Sequence, residues 1–474
     1  MGTSSTVRSR RRATVRGTRS VIAAALVAVF LTALAMAVAT PKASAAGGDL
    51  VWAKRYGTAA RRASAVAIAA APGGAICVAG ERVNAGGVHM VVLRYRANGR
   101  RSWARLYGAT RPGEEFAAAI ACDRRGNVFV AGSVEAGPGD WDIVVMKYQA
   151  GGKRLWLRRY AGAGGADVHA AALAVDRNGN AYVTGTSRKP GGDLKVVAVK
   201  YTPTGKRRWV ALRGPGVLGG GFALPGVDFE VSGMTLDGYG HVYVCGSARW
   251  MADERAVVLK FSRTNGRALW ARIDLPGVGE RSRATSIAVH KNRVVAAATL
   301  DAGTDWHMMA LGFSRAGSPK YRTVYEQGPG HNIVSSDVVV DGDGNVFVAG
   351  VTEQTFGATV PCVMRLLSDG AWQITAYEPL DGRAGNVHLA LGRTGAVYLT
   401  WSDEWVDGPT EQSNIVARRF TNSLLGRPWI RAWRGPGHGD DRPCGIVLGT
   451  TGGLYVAGTC QGASDQTVVL KLAR

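Results

Sequence analysis

The sequence lacks the residue patterns that build small disulfide scaffolds and several common catalytic centres. Its 474 residues include only six cysteines, and no two of them form a C-x-x-C motif. No H-x-x-x-H pair, no G-x-S-x-G motif and no P-loop sequence occurs. These absences argue against a disulfide-dense scaffold, a zinc protease of the helical type, a serine hydrolase and a P-loop nucleotide enzyme.

Acidic residues are also scarce relative to basic ones. The chain has 58 Lys and Arg against 35 Asp and Glu, a formal net charge of +23. Such a balance favours anionic partners, here a glycan or an anionic cell-envelope polymer. A protein partner remains an alternative, whereas the export pattern described next argues against nucleic acid as a partner.

The first 45 residues have the pattern of an export signal. Six arginines and no acid occur in the first twenty residues, 21–40 is apolar, and 43–45 reads Ala-Ser-Ala. The pattern predicts a signal peptide at 1–45, which places the protein outside the cytoplasm, secreted or at the cell surface. Because 21–40 is long enough to cross a bilayer, an uncleaved signal anchor is the alternative.

A tryptophan recurs at nearly constant spacing along the rest of the chain. The separations are 51, 53, 53, 61, 102 and 57 residues, and Tyr321 stands halfway along the double gap. The tryptophans are Trp52, Trp103, Trp156, Trp209, Trp270, Trp372 and Trp429. A period of about 50 residues is typical of a propeller, a solenoid or an array.

Each repeat contains four short strand patterns and no helical period. In 163–216 the strands are predicted at 168–175, 181–185, 195–201 and 207–213. Asp176, Gly179 and Asn180 supply the residues of a tight hairpin turn, since Asp bonds nearby amides and Gly accepts positive φ. The sequence therefore predicts an all-β protein.

The last repeat lacks its tryptophan strand, and the missing strand stands at the other end of the repeat region, at 48–57. A ring in which 48–57 completes 438–474 removes the exposed edges that an open stack of repeats would leave. We predict one domain at 46–474, an eight-bladed β-propeller of four-stranded antiparallel blades, with seven blades as the alternative. The other blades are predicted at 58–108, 109–162, 163–216, 217–277, 278–330, 331–382 and 383–437.

These repeats resemble the SBBP-type bacterial β-propeller repeat, a G-N-x-Y/F-V-x-G segment followed by a strand that ends in K-Y/F. The matching segments are 126–132 with Lys147-Tyr148, 179–185 with Lys200-Tyr201, and 344–350. The resemblance implies an exported propeller, usually without an assigned activity. The tryptophan strands are also similar to those of eight-bladed quinoproteins, although the adjacent cysteine pair of quinoprotein alcohol dehydrogenases is absent.

Four further tryptophans lie outside the periodic strand, in the loops between the second and third strands. They are flanked by carboxylates, an arrangement that suits sugar rings or cationic ligands. The candidate ligand-binding residues are Trp141, Trp250, Trp306 and Trp405 with Asp140, Asp253, Asp305 and Glu404. The alternative is that these indoles fill gaps between blades.

Two weaker patterns concern metals and disulfides. Asp341, Asp343 and Asn345 resemble the start of a calcium loop, but Val346 occupies the place of the turn glycine, so a hairpin turn is the better interpretation. Calcium is the only cofactor candidate, and otherwise no metal or cofactor is predicted. Cys444 and Cys460 lie on neighbouring predicted strands and are the candidate disulfide.

The sequence thus favours an exported, monomeric and non-enzymatic binding or scaffold module for glycans or cell-envelope polymers. The alternative is a propeller-type enzyme, either a glycan hydrolase or lyase or a degenerate quinoprotein-like oxidoreductase. A hydrolase would need two carboxylates with separated pKa values, and the sequence does not place acids across blades. No catalytic residue is therefore assigned.

Overall fold

The computed structural model describes residues 48 to 473 with short gaps, and the predicted signal peptide lies outside the described residues. The gaps are 59, 109–112, 215–226, 276, 278, 329, 354–357, 368–369, 378–381, 406–411, 422, 425–428, 437–438 and 463. Residues 46 to 474 form one compact unit. In the described part no helix is long and apolar enough to cross a membrane, and the only helical element is the 3-10 turn Pro72–Gly74.

Thirty-two strands occupy the described residues. The first nine blade-forming elements in chain order are β1 (Leu50–Tyr56), β2 (Ala63–Ala70), β3 (Ile76–Asn84), β4 (Gly87–Tyr95), β5 (Arg101–Tyr107), β6 (Glu115–Cys122), β7 (Val128–Gly137), β8 (Asp140–Tyr148) and β9 (Arg154–Tyr160). They are followed by β10 (Asp167–Val175), β11 (Ala181–Arg188), β12 (Leu194–Tyr201), β13 (Arg207–Arg213), β14 (Asp228–Leu236), β15 (Val242–Trp250), β16 (Asp253–Phe261) and β17 (Ala268–Ile273). The second half comprises β18 (Arg281–His290), β19 (Arg293–Asp301), β20 (Trp306–Ser314), β21 (Pro319–Tyr325), β22 (Ile333–Val340), β23 (Val346–Glu353), β24 (Thr359–Leu366) and β25 (Trp372–Tyr377). The last strands are β26 (Gly382–Leu391), β27 (Val397–Trp405), β28 (Gln412–Phe420), β29 (Trp429–Trp433), β30 (Asp441–Leu448), β31 (Leu454–Cys460) and β32 (Gln466–Leu472).

These strands form eight four-stranded antiparallel blades arranged in a ring. Blade 1 is β2 to β5, the next six blades follow in groups of four, and blade 8 has the order β1-β32-β31-β30. Blades 6 and 7 are joined by one parallel pair, Thr359 with Arg383. The first strand of each blade contacts the first strand of the next, and β30 contacts β2. The predicted eight-bladed propeller is confirmed.

The ring closes at the predicted place. Strand β1 pairs antiparallel with β32 from Leu50 opposite Leu472 to Tyr56 opposite Thr467. The Gly48 amide donates a hydrogen bond of 2.8 Å to the Ala473 carbonyl oxygen. Closure leaves no blade without its outer strand, which removes the unpaired sheet edges that an open array would expose.

The Asp-to-Asn turns form as predicted. Asp176 Oδ1 accepts the amides of Asn178 and Asn180 at 2.9 Å, and Asp176 Oδ2 accepts Asn180 Nδ2 at 2.7 Å. Gly179 between them has φ of +79°, a conformation that side chains with a Cβ rarely adopt. The aspartate therefore satisfies the turn amides and fixes the register of the two inner strands.

The periodic tryptophans dock on the following blade. The Trp103 indole Nε1 donates a hydrogen bond of 2.9 Å to the Ala150 carbonyl oxygen. Trp156 Nε1 donates an equivalent bond of 3.0 Å to the Pro203 carbonyl oxygen. A Cβ added to Gly152 would lie 2.8 Å from the Trp103 ring, so the turn must carry glycine for the ring to cover it. Trp103 and Trp156 are each 7 % exposed. This set of tryptophans holds the fold together.

The two faces of the ring carry different connections. We call the face with the second-to-third strand loops and the inter-blade connections the loop face. We call the face with the two hairpin turns of each blade the turn face. Since every blade has the same strand order, the loop tryptophans all belong to the loop face.

Candidate functional site

The predicted loop tryptophans lie at equivalent ends of the second-to-third strand hairpins. Trp250 pairs with Asp253, Trp306 pairs with Asp301, and Trp141 pairs with Glu135. Trp405 ends β27 as Trp250 ends β15, but its side chain and that of Glu404 lie outside the described residues. Trp141 and Trp306 instead lie at the start of third strands, and the three described indoles have different surroundings.

Trp141 fills the gap between blades 2 and 3. Its ring stacks on Phe116 with centroids 5.5 Å apart and an interplanar angle of 26°, and it lies 5.3 Å from the His169 ring. Its amide donates to Asp167 Oδ1 at 3.2 Å. The neighbouring Asp140 is exposed. This indole fits the gap-filling alternative better than a role in ligand binding.

The Trp250 indole contacts residues of its own hairpin. The Arg255 guanidinium lies 5.8 Å from the ring centroid, and Asp253 binds that guanidinium at 2.7 Å. Indole, cation and carboxylate thus satisfy one another. The predicted pair Trp250 and Asp253 is a local contact within blade 4.

Trp306 is the exposed member of the set. Its side chain is 47 % exposed, the largest exposure among the described tryptophans. Its amide donates to Asn332 Oδ1 at 2.8 Å, and the predicted Asp305 accepts the Gly330 amide at 3.1 Å. The connection between blades 5 and 6 therefore holds this loop while leaving the indole uncovered.

Trp306 borders a cavity of about 650 Å³ on the loop face. The cavity spans the first strands of blades 4, 5 and 6. It is lined by Val231, Ser232, Glu254, Arg281, Ser282, Arg283, Thr285, Thr299, Asp301, Trp306 and Val334. An indole, two guanidinium groups, two carboxylates and several hydroxyls thus converge on one space, and we call it the Trp306 cavity.

The charges of the Trp306 cavity form a paired network. Arg281 binds Asp301 at 2.6 Å, and Arg249 binds Glu254 at 3.0 Å. The hydrogen bond to Glu254 raises the pKa of Arg249. The Arg281 side chain is still 53 % exposed, so one edge of its guanidinium faces the cavity and solvent. A ligand can therefore be bound by groups that are already oriented.

Hydroxyl groups form the floor of the same cavity. Thr285 Oγ1 and Thr299 Oγ1 lie 3.0 and 3.2 Å from Ser335 Oγ, and the Ser335 amide donates to Thr299 Oγ1 at 3.1 Å. Each hydroxyl can act as donor or acceptor. The floor can consequently exchange hydrogen bonds with a polyhydroxylated ligand.

Sequence reasoning missed the arginines and threonines of this cavity. A signal exists, since the first strand of blade 5 begins Arg281-Ser282-Arg283 and so carries two positive charges within three residues. Asp301 is the last residue of β19 and pairs with Trp306 across the hairpin. The structure places the predicted Trp306 at a cavity and adds new partners to it.

The weak calcium pattern forms a hairpin turn. Asp341 Oδ1 accepts the amides of Asp343 and Asn345 at 2.9 and 2.8 Å, and its Oδ2 accepts Asn345 Nδ2 at 2.7 Å. Both carboxylate oxygens thus stabilise the turn. In the described part of the chain no group of three or more His, Cys, Asp or Glu is arranged to hold a metal ion.

The structure does not bring Cys444 and Cys460 together as a disulfide. Cys460 lies opposite Asp441, whereas Cys444 lies at a bulge three residues further along β30. All six cysteines are free thiols. Cys77 and Cys122 instead pack in one cluster across blades 1 and 2, and the neighbouring Cys77 thiol together with burial raises the pKa of Cys122.

Comparisons with known proteins support the fold. A family model described as SBBP, a beta-propeller repeat, matches residues 157–188, from β9 to β11. No curated protein matches the chain. Sqt1 from Chaetomium thermophilum aligns with a TM-score of 0.51 at 12 % identity over 87 % of this chain and 97 % of that chain.

Two enzymes are also among the similar structures. A europium-containing methanol dehydrogenase has a TM-score of 0.48 at 11 % identity over 90 % of this chain and 93 % of that chain. The polysaccharide lyase Uly1 has a TM-score of 0.44 at 10 % identity over 73 % of this chain and 87 % of that chain. At such identities structural similarity shows fold and carries no activity. The predicted resemblance to SBBP-type propeller repeats is confirmed.

Proposed function

We propose that this propeller with an SBBP repeat is a non-enzymatic binding module whose Trp306 cavity takes up an acidic glycan of the cell envelope. The observation that carries the proposal is the exposed indole of Trp306 at a cavity that also presents guanidinium, carboxylate and hydroxyl groups. Its volume of about 650 Å³ lies within the range of small-molecule sites.

Each class of group in the cavity has a partner on a sugar. The indole face of Trp306 stacks on the apolar C–H face of a pyranose ring. Asp301 and Glu254 accept hydrogen bonds from sugar hydroxyls, and Arg281 and Arg283 donate to a sugar carboxylate. Arg281 and Arg283 are paired with Asp301 and Glu230, but their side chains are 53 % and 47 % exposed and can also bind the carboxylate that distinguishes an acidic sugar from a neutral one.

A glycan hydrolase is the second candidate because Glu254 and Asp301 line one cavity. Hydrolysis by paired acids needs one carboxyl protonated and the other ionised. Here each carboxylate accepts a hydrogen bond from a guanidinium, Glu254 from Arg249 and Asp301 from Arg281. Both acids of the cavity are thus already paired with guanidinium groups, an arrangement that supports binding over hydrolysis.

The proposal places the protein outside the cytoplasm as a monomer, secreted or at the cell surface. The sequence pattern of residues 1–45 supports export, and the pairing of β1 with β32 supports a monomer because blade 8 is completed within one chain. Calcium is included as a variable in the test because Asp343 stays a predicted candidate ligand.

The proposal is tested by a glycan array of neutral and uronate oligosaccharides, with and without calcium, followed by calorimetric titration of the best binder. Trp306→Ala is expected to weaken binding about tenfold or more, since lost stacking and contact area reach about 1.4 kcal/mol. Tyr239→Ala is the control, because it removes an aromatic side chain of similar exposure, 62 %, from the turn face.

The outcomes separate the candidates. Uronate binding that Trp306→Ala weakens and Tyr239→Ala leaves unchanged supports the proposal. Cleavage products in the same incubation, detected by mass spectrometry, would support the hydrolase or lyase instead. Equal binding by both variants, or no binding on the array, would contradict a glycan site at Trp306.

A further inference from the structure

A second cavity lies at the seam where the ring closes, between β1 of blade 8 and blade 1. Its volume is about 230 Å³. It is lined by Arg55, Tyr56, Gly57, Thr58, Arg61, Arg82 and Arg101. Four of these seven residues are arginines and none is acidic. The seam belongs to different blades from the Trp306 cavity, so an inference from it goes beyond the proposed glycan site.

The four arginines come from separate elements, and the fold holds them in place. Arg55 is on β1, Arg82 on β3 and Arg101 on β5, whereas Arg61 lies in the connection between blades 8 and 1. Reciprocal backbone hydrogen bonds between Thr58 and Arg61, of 3.0 and 2.9 Å, fix that connection. The closure of the ring is therefore what brings these side chains together.

Blade 1 has an unusual residue, Arg82, at one position of its second strand. Arg82 pairs with Ala63, which lies two residues before the bulge that each first strand carries. The seven equivalent positions hold Val134, Ser187, Ala248, Leu300, Thr352, Asp403 and Cys460, and all of them are buried. Only blade 1 places a permanent positive charge at this position.

The positive charges at the seam have no carboxylate partner among the residues that the structure describes. None of the four arginines forms an ion pair with an acid in the described part of the chain. Arg55 donates to the neutral Gln466 Oε1 at 3.3 Å, and the Arg101 guanidinium lies 5.0 Å from the Tyr56 ring centroid. The Arg82 Nε is buried and has no hydrogen-bond partner among the described residues.

We propose that this cavity is a binding site for a phosphate-type oxyanion. A guanidinium presents planar N–H pairs that match the oxygens of phosphate or sulfate, and like charges held together gain from a bound anion. The cavity has room for about seven waters at ~30 Å³ each, enough for one such anion with part of its hydration. The source is either the free ion or a phosphodiester group of an anionic envelope polymer.

The test is calorimetric titration of the purified protein at constant ionic strength, with sodium chloride as the balancing salt. The probes are inorganic phosphate, sulfate and poly(glycerol phosphate). We expect one saturable site with a dissociation constant below about 1 mM. Arg82→Gln is expected to raise that constant about tenfold or more, since it removes a bidentate donor.

A matched control is available at another seam. Arg207 occupies the equivalent of Arg101 in blade 3 and lies 5.9 Å from the Tyr160 ring. Arg207→Gln removes one positive charge from a similar place and should leave the dissociation constant within about twofold. Arg61→Gln is the second variant, because this exposed residue can be replaced without disturbing the packed blade even if Arg82→Gln fails to fold.

The outcomes assign the source or reject the site. Saturable binding of phosphate and sulfate that Arg61→Gln or Arg82→Gln weakens identifies a free-ion site. Binding of the polymer alone, weakened by the same variants, identifies the phosphodiester source. No saturable binding with any probe, or equal loss with Arg207→Gln, overturns the proposal because the affinity then comes from general positive charge.

Discussion

Replacing Trp52 by alanine tests the role of the seam in stability. Trp52 stands in β1, its Nε1 donates 3.1 Å to the Ala97 carbonyl oxygen, and its ring packs 5.9 Å from Tyr455 and 6.5 Å from Tyr95. It thereby ties the outer strand of blade 8 to blade 1. Loss of this side chain should loosen the ring at its point of closure.

The expected loss of stability follows from the burial of the Trp52 side chain. Replacing a fully buried tryptophan by alanine costs about 3–5 kcal/mol. Trp52 is half-buried and loses one hydrogen bond worth about 1 kcal/mol, so we expect a loss of about 2–3 kcal/mol in the free energy of unfolding. Urea denaturation followed by intrinsic fluorescence measures it by linear extrapolation.

Hydrogen exchange locates the effect. The amides of β32, which pair with β1, should lose protection in Trp52→Ala before those of blades 3 and 4. Trp306→Ala is the control, and since its indole is 47 % exposed it should change the free energy of unfolding by less than about 1 kcal/mol. The reasoning is refuted when Trp52→Ala matches the wild type in both the free energy of unfolding and the protection of β32.

Three further predictions concern other parts of the ring. Gly152→Ala should lower the free energy of unfolding by about 1–3 kcal/mol, because Gly152 has φ of +90° and the new Cβ would lie 2.8 Å from the Trp103 ring. An unchanged midpoint of urea denaturation would contradict this docking contact. Burial raises the pKa of Asp441 to about 6, so the folded state binds a proton that the unfolded state releases, and this contribution to stability grows as pH falls from 7 to 4. Replacing Asp441 by Asn should flatten the stability profile between pH 4 and 7, and an identical profile would show that another group causes the slope. The neighbouring Cys77 thiol and burial raise the pKa of Cys122, so its thiolate fraction is small and glutathione disulfide should leave the intact mass of the native protein unchanged; a loss of about 2 Da with a Cys77–Cys122 link in a peptide map would be the contrary result.

The sequence specifies the ring because its signals are local and repeated. The Asp176 turn satisfies its own amides, and Trp103 contacts Gly152 in the turn about one repeat further along the chain. One strand pattern at 48–57 was therefore enough to predict that β1 completes blade 8. The turn and the docking contact each depend on residues within one or two repeats, so one sequence is sufficient to recognise them.

The candidate sites depend on contacts between blades, which sequence spacing does not report. Trp141 and Trp306 occupy equivalent loops, but Trp141 stacks between Phe116 and His169 whereas Trp306 stays exposed. Their different roles follow from the side chains of the next blade. The seam cavity likewise required Arg82 and β1, which are joined by closure of the ring.

The register of the bulged strands explains the disulfide prediction. Cys444 and Cys460 lie on paired strands, as the sequence suggested. A bulge between Pro443 and Gly445 shifts the pairing, so Cys460 lies opposite Asp441. Such bulges recur in the first strand of the blades, and a strand pattern alone does not reveal which residue they displace.

A crystal structure of the protein soaked with a uronate oligosaccharide tests the proposed binding function most directly. Our account predicts a sugar ring stacked on Trp306, with its carboxylate bound by Arg281 or Arg283 and its hydroxyls near Asp301 or Glu254. A sugar bound on the turn face, or a Trp306 cavity that stays free of sugar while the protein binds the same oligosaccharide in solution, would contradict it.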